Sequence, residues 1–400
     1  MNHLLAIILL STASQTLRAE SPALNAVHEW GTFTTFSGSD GAPLAWWTPS
    51  LEGPAALPEF VQSIGMKIGA AHSMRMETPV LYFYASQPAE VSVRVDYRQG
   101  LLTDIFPPGK QEIPQPSNPL QPSSAYTWKV DLLPPDSDAR NDVPSVGARG
   151  AHYAHAREVP SAWIVRSRPR PGDDPESKAN TEKFIFYRGA GVGTLPLRTW
   201  LGEDGSLSVG ASSEITTEAF VVRVQNGVVH WRAAPISTKP ERDSRIQRFR
   251  IAAPEKDGSA ETLAVALRQA LSAAGLTSAE AAAMVATWHE AWLTEEGTRL
   301  LYLLPETWIN EQLPLKISPE PKELKRVFVA RSELFPLEQE QLMMKALTGP
   351  HTDAERARMI SDLRLGRFTN AALERAVKIS ENKLRAVFSG AMAYSNPSTR

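Results

Sequence analysis

The 400-residue sequence contains no cysteine. Disulfides, thiolate zinc sites, a cysteine nucleophile and cysteine-linked lipid anchors are excluded together. Apolar runs long enough to cross a bilayer, about 20 residues, are also missing, so no transmembrane segment is expected in the mature chain. Charge excess is missing too: 42 Lys and Arg stand against 44 Asp and Glu, a net charge of −2. Without a basic face to track phosphates, nucleic acid is not expected as a partner. Neither a Gly-x-Ser-x-Gly elbow nor a His-Glu-x-x-His pair occurs, which removes the usual marks of an α/β-hydrolase and a zinc protease.

Hydrophobic residues make up 42% and charged residues 22%, the composition of an ordinary globular protein, and the length suits two or three cores or one large β-rich domain with insertions. The 31 prolines exceed the usual share of about 5%, and they cluster in loops. At the start, an apolar run from Leu4 to Leu10 is followed by Ser11, Thr12 and Ala13. The run suits the hydrophobic part of a secretory signal, with cleavage after Ala13 or Ala19. No Lys or Arg precedes it, so the positive end rests on the terminal amine and His3. Residues 1–19 are therefore expected to be a signal peptide and the protein to be periplasmic or secreted; the alternative is a short N-terminal core segment.

Val27–Phe36 is rich in aromatic and β-branched residues and predicts a strand. Val91, Val93 and Val95 alternate with polar neighbours, and Ala219–Trp231 folds back at Asn226-Gly227, a strong hairpin signal. A short helix is expected over Pro58–Ile64, and an extended loop over the proline-rich Phe106–Ser124. Further on, Ser259–Ala274 and Thr277–Leu293 predict an antiparallel helical hairpin, the second helix opened by a Thr277–Glu280 capping box. These patterns predict an α+β protein. It has a largely antiparallel, sandwich-like β-rich domain over 20–250, and a helical hairpin with returning strands over 251–335. A helical C-terminal region covers 336–400.

Four segments carry a resemblance: Val27–Thr34, Arg75–Pro79, Phe184–Gly189 and Trp288–Trp292. In this order they resemble an uncharacterised family of exported bacterial proteins with a Val-His-Glu-Trp-Gly-Thr-Phe-Thr motif. The resemblance implies export and brings no activity with it.

Candidate chemistry comes from few residues. Along a strand, Val27, Glu29, Gly31 and Phe33 share one face, and His28, Trp30, Thr32 and Thr34 the other. Glu29 is thus set between apolar neighbours, where a carboxylate needs an arginine, hydrogen-bond donors or a raised pKa. Arg75 and Glu77 share a face and offer an Arg75–Glu29 or Arg75–Glu77 pair. If instead Glu29 and Glu77 converge, they form the acid–base couple of a glycan hydrolase. Trp46 and Trp47 offer ring faces to a sugar, and Arg75 and His289 are further candidate binding residues. His289 lies on the flank of the apolar stripe of its helix, with Glu290 facing water. His28, His72, His152 and His155 are the candidate metal ligands. The sequence thus leaves three functions open: a binding or scaffold protein of the cell envelope, with a glycan or another envelope protein as partner; a hydrolase acting on a glycan through paired carboxylates; or a protein with a histidine metal site.

Overall fold

A computed structural model describes residues 24–46, 57–64, 72–112, 123–147, 150–167, 180–211, 214–238, 248–254 and 258–394. The expected signal peptide and Trp47 lie outside the described residues.

Eight strands build the main sheet: β1 (Leu24–Ser37), β2 (Met74–Ala85), β3 (Gly100–Phe106), β4 (Ile185–Gly191), β5 (Ala219–Gln225), β6 (Val228–Ala233), β7 (Gly297–Leu303) and β8 (Glu323–Leu334). Their order across the sheet is β6-β5-β7-β8-β1-β2-β4-β3, with two-residue strands at Pro43–Leu44 and Gln62–Ser63. Pairing is antiparallel except between β1 and β8, which run parallel from Ala26↔Glu323 to Ser37↔Leu334. The β7 and β8 strands are internal members of this sheet, so it runs straight through the boundary expected near residue 250. The Asn226-Gly227 turn has φ of 53° and 76°, the left-handed pair that a two-residue hairpin requires. The helix expected over Pro58–Ile64 is instead a turn and a short strand. Ile64 N–H donates to the Thr103 carbonyl at 2.8 Å, so its backbone finds a partner in the sheet edge.

The central strand is buried from Val27 to Phe36 because both faces of the sheet are covered. On one face Val27, Phe33, Leu81, Phe83 and Ile185 meet Val91, Val93, Trp128 and Val130 of a second antiparallel sheet, built on Ala89–Tyr97 and Ser124–Leu133. The described residues form seven α-helices: α1 (Ala151–His155), α2 (Ala260–Ala273), α3 (Ser278–Thr287), α4 (Glu306–Gln312), α5 (Leu337–Thr348), α6 (Asp353–Asp362) and α7 (Thr369–Tyr394). Six of them lie on the other face, whereas Ile309 of α4 belongs to the sheet–sheet core. The α2–α3 hairpin covers Trp30, Val80, Tyr82 and Val329. A separate cluster of Phe335, Met343, Phe368 and Ala372 covers Phe36 and Trp46. Between these two apolar caps the same face is polar.

Helix α3 starts at its expected capping box, with Glu280 N–H donating to the Thr277 hydroxyl at 3.2 Å, but ends at Thr287. A wider turn over Glu290–Thr294 follows, with Trp288 and Trp292 stacked at 5.9 Å. Arg299 donates to the Ala291 and Trp292 carbonyls at 2.8 and 3.2 Å, which accounts for the break in a pattern that reads as one helix.

Irregular pairing crosses the sheet in a line. The registers of β1/β2, β2/β4 and β4/β3 all shift between Trp30–Thr32, Phe186–Gly189 and Arg188–Gly189 respectively. Thr78 in β2 has φ of 50°, uncommon for a β-branched residue. Before it Met74 and Met76 face the second sheet; after it Leu81 and Phe83 do. The extra residue reverses the alternation, as a bulge does. Gly31 sits at this fault, where a Cβ would lie 2.7 Å from Phe328 Cε1 and 3.0 Å from Pro79 Cα. Phe328 is fully buried and cannot move aside cheaply. Gly31→Ala is expected to lower stability by about 1–3 kcal/mol, read from urea unfolding; an unchanged midpoint would show that the fault tolerates a wider strand.

Candidate functional site

Glu29 is completely buried on the face toward the second sheet. Its Oε2 accepts from Arg326 Nε at 2.6 Å and its Oε1 from the Tyr187 hydroxyl. Arg326 also donates through Nη1 to Asn310 Oδ1 and the Leu313 carbonyl, at 2.8 and 2.7 Å. Burial and the Glu29 charge raise the Tyr187 pKa, so the phenol keeps its proton and donates. The partner of Glu29 is thus Arg326 on the parallel strand β8, its neighbour in register, and not Arg75.

Glu77 lies on the opposite face. It accepts from the Thr34 hydroxyl at 2.6 Å and from Arg367 Nη1 at 2.7 Å. Burial pushes its pKa up, but Arg367 and Arg75 outweigh burial and bring it to about 2. Acid–base hydrolysis of a glycoside needs two carboxyls flanking one bond, about 5–10 Å apart. With a closed sheet between them, Glu29 and Glu77 do not form that couple.

Glu77 instead belongs to a belt of charge between the two apolar caps. Arg75 and Glu77 of β2 are registered with Thr34 and Thr32 of β1, and Arg188 of β4 with Asp104 of β3. Arg188 donates to the Thr78 hydroxyl at 3.3 Å and to His152 Nε2 at 3.1 Å. Burial lowers the Arg188 pKa to about 10, with Asp104 opposing and Arg75 adding to the fall. Burial and the Arg188 charge hold His152 near 3, so its ring is neutral and Nε2 accepts. The guanidiniums of Arg75 and Arg367 lie 5.4 and 5.1 Å from the centre of the Trp46 ring, and His72 is joined through its carbonyl to Trp46 N–H at 2.8 Å. Beyond Thr34 the belt continues through Arg331, Glu333, Arg299 and Glu295, linked at 2.7 to 3.0 Å. The bulges are what turn these side chains to one side. Three of the four resembling segments, Val27–Thr34, Arg75–Pro79 and Phe184–Gly189, meet at this fault.

The remaining candidates disperse. His28 donates through Nδ1 to Glu280 at 2.9 Å, beside the Tyr84 hydroxyl, which donates to the same carboxylate at 2.6 Å. His155 meets Glu158 at the surface, and His289 is exposed. Among the described residues no three His, Asp or Glu are grouped to hold a metal ion, so His28, His72, His152 and His155 do not assemble as a metal site there. Trp46 is 2% exposed and presents no ring face to solvent, because both arginines and Phe368 cover it. An open cleft of about 840 Å³ lies at the sheet's end, its lining including Arg223, Glu296 and Glu333.

Sequence reasoning missed Arg326, Tyr187, Arg188 and Arg367. Arg188 stood within a flagged segment, in alternation with the aromatic Phe184 and Phe186. Arg367 had no signal, since a short turn brings it over β2 from the far end of the chain.

No family model matches the chain, and no curated protein matches it. Among solved structures it is similar to the Fcho1 mu homology domain of Danio rerio with bound Eps15 peptide. That match has 8% identity over 79% of this chain and 98% of the other, with a TM-score of 0.25, too low for any inference.

Two outcomes are expected. Glu29→Gln leaves Arg326 buried without its counter-charge and should cost about 3–5 kcal/mol; replacing both by apolar residues of like volume should restore much of it, measured by denaturant unfolding. A pH response also follows. The folded pKa of His152 lies below its ordinary 6.5, and burial with Arg75 lowers His72 as well. The stability from these neutral rings is complete above pH 6.5 and is lost as pH falls below it. That of Glu77 starts to go only below its ordinary 4.5. Stability should therefore drop between pH 7 and about 5, ahead of carboxylate titration. A His72→Asn/His152→Asn variant should show a flatter profile, and an equal drop would remove these rings as the cause.

Proposed function

We propose that the protein is an exported, non-catalytic binding protein of the cell envelope, with a glycan or another envelope protein as its partner. One observation carries the reading. The two carboxylates that would run a hydrolysis lie on opposite faces of one sheet, each engaged by an arginine, and Glu29 is sealed from water. A general acid or base must exchange protons with substrate or solvent, and a carboxylate that spends both oxygens on Arg326 and Tyr187 is a structural brace. The polar belt has a different character, since its side chains are buried and hydrogen-bonded and its charge is concentrated, which suits recognition. Export is supported by the Leu4–Leu10 run and the small residues after it.

The test pairs turnover with binding. Wild-type protein should release no reducing ends from envelope polysaccharides, yet bind an envelope component saturably. Glu29→Gln should lose stability and, below its unfolding temperature, keep that binding. Turnover abolished by Glu29→Gln or Glu77→Gln in a folded variant would replace the binding reading with a hydrolase.

A further inference from the structure

We infer that the open cleft at the end of the main sheet is a binding site for an uncharged glycan, held by hydrogen bonds to its hydroxyl groups. This rests on the binding reading above and names the site and the chemistry of its ligand.

The first observation is shape. The cleft has a volume of about 840 Å³, within the range of about 300–1,000 Å³ that small-ligand sites occupy. It is lined by the ends of β1, β5, β7 and β8, the turn at 202–205, the start of α5 and residues 362–365. Glu296 ties two of these pieces together. It accepts from the Asn226 and Gly227 amides at 3.0 and 2.9 Å and from Arg364 Nη1 at 3.5 Å. The belt reaches the cleft at Glu333, which the buried Arg299 and Arg331 hold in place. The shape is therefore set by contacts within the chain, which lowers the cost of ordering it around a ligand.

The second observation is chemical. Small-ligand sites are mostly apolar, whereas twelve of the 25 residues lining this one end in a carboxylate, an amide or a guanidinium, and none is lysine. These planar groups together offer both donors and acceptors, often two at a time. A hydroxyl is itself donor and acceptor, so adjacent hydroxyls on a sugar ring match such a mixed lining. Gln225, Asn226 and Gln341 are exposed, and their side chains make no hydrogen bond among the described residues. The two aromatic residues of the lining, Phe36 and Phe368, are 1% and 3% exposed and stack on each other at 4.7 Å. The cleft thus lacks the aromatic anchors on which a protein interface is centred, and its affinity for a sugar rests on hydrogen bonds.

The third observation is charge. Of the six carboxylates in the lining, Asp204, Glu296, Glu333 and Asp362 are each paired with an arginine. Glu203 and Glu338 against Arg223 are the remainder, so little net charge is left to select an ion.

The test screens the full chain against an array of neutral, acidic and amino-bearing oligosaccharides. The best neutral one is then titrated by calorimetry into wild type, Gln225→Ala/Gln341→Ala and Gln341→Trp. Wild-type binding should be saturable and driven by enthalpy, as at hydrogen-bonded sites. The double variant removes two side chains that hold nothing else, so its unfolding midpoint should stay at the wild-type value while affinity falls at least tenfold. Gln341→Trp, which narrows the cleft from an exposed helix position, should weaken binding as well. An array with no neutral hit, hits confined to charged sugars, or variants that bind like wild type would each overturn the assignment. The binding reading then survives if an envelope component is still retained, and fails with it if none is. Release of reducing ends from a neutral sugar held in the cleft would keep the site and replace the binding reading.

Discussion

The structure depends on the ion pair between Glu29 and Arg326. It joins the first described strand to the last, residue against residue in the parallel pair β1–β8, with no solvent on either side chain. A buried pair of this kind adds little net stability, because desolvation offsets most of the attraction. Its effect is on choice of register. A slip by one residue would set Glu29 against Lys325 or Val327 and turn every side chain of β1 to the wrong face. Tyr187 from β4 closes on the same carboxylate, so one acidic side chain specifies how three strands meet.

On the opposite face the same sheet solves a different problem. Two helical caps leave a polar strip between them, and the strip holds charges that could have been placed on the surface. The bulges explain how the sequence does this without disturbing the core: Met74 and Met76 face the second sheet on one side of Thr78, Leu81 and Phe83 on the other, so Arg75 and Glu77 fall on the helical side. A regular β2 would have no means of keeping both methionines and both charges in place with Val80 and Tyr82 under α2 and α3.

Much of this was legible from local pattern. The α+β class, the Asn226-Gly227 hairpin, the Thr277–Glu280 cap and the alternation in Val91–Val95 each rest on neighbours in sequence, where periodicity reports directly on structure. Glu29 could be recognised as needing a partner, because its place among Val27, Gly31 and Phe33 fixes its face. The partner could not, since Arg326 lies 297 residues away and nothing local marks one arginine among many. Trp46 shows the opposite failure. A loop rich in prolines and glycines predicts exposure, but Arg75, Arg367 and Phe368 arrive from distant segments to cover the ring. The belt was half visible: Arg75 and Glu77 were singled out, while the bulge that turns them away from Glu29 depends on three-strand geometry that alternation alone does not encode.

The parallel pair β1–β8 has a consequence for how the protein comes into being. The first described strand occupies the middle of the sheet, and Arg326 of one of its two long neighbours follows 297 residues after Glu29. Long-range pairings of this sort form slowly, and a half-finished chain would expose one flank of β1 with Glu29 uncompensated. The β1–β8 pairing is complete only when residues up to Leu334 are available. The arrival of Arg326 is then the event that gives Glu29 its counter-charge and closes the middle of the sheet.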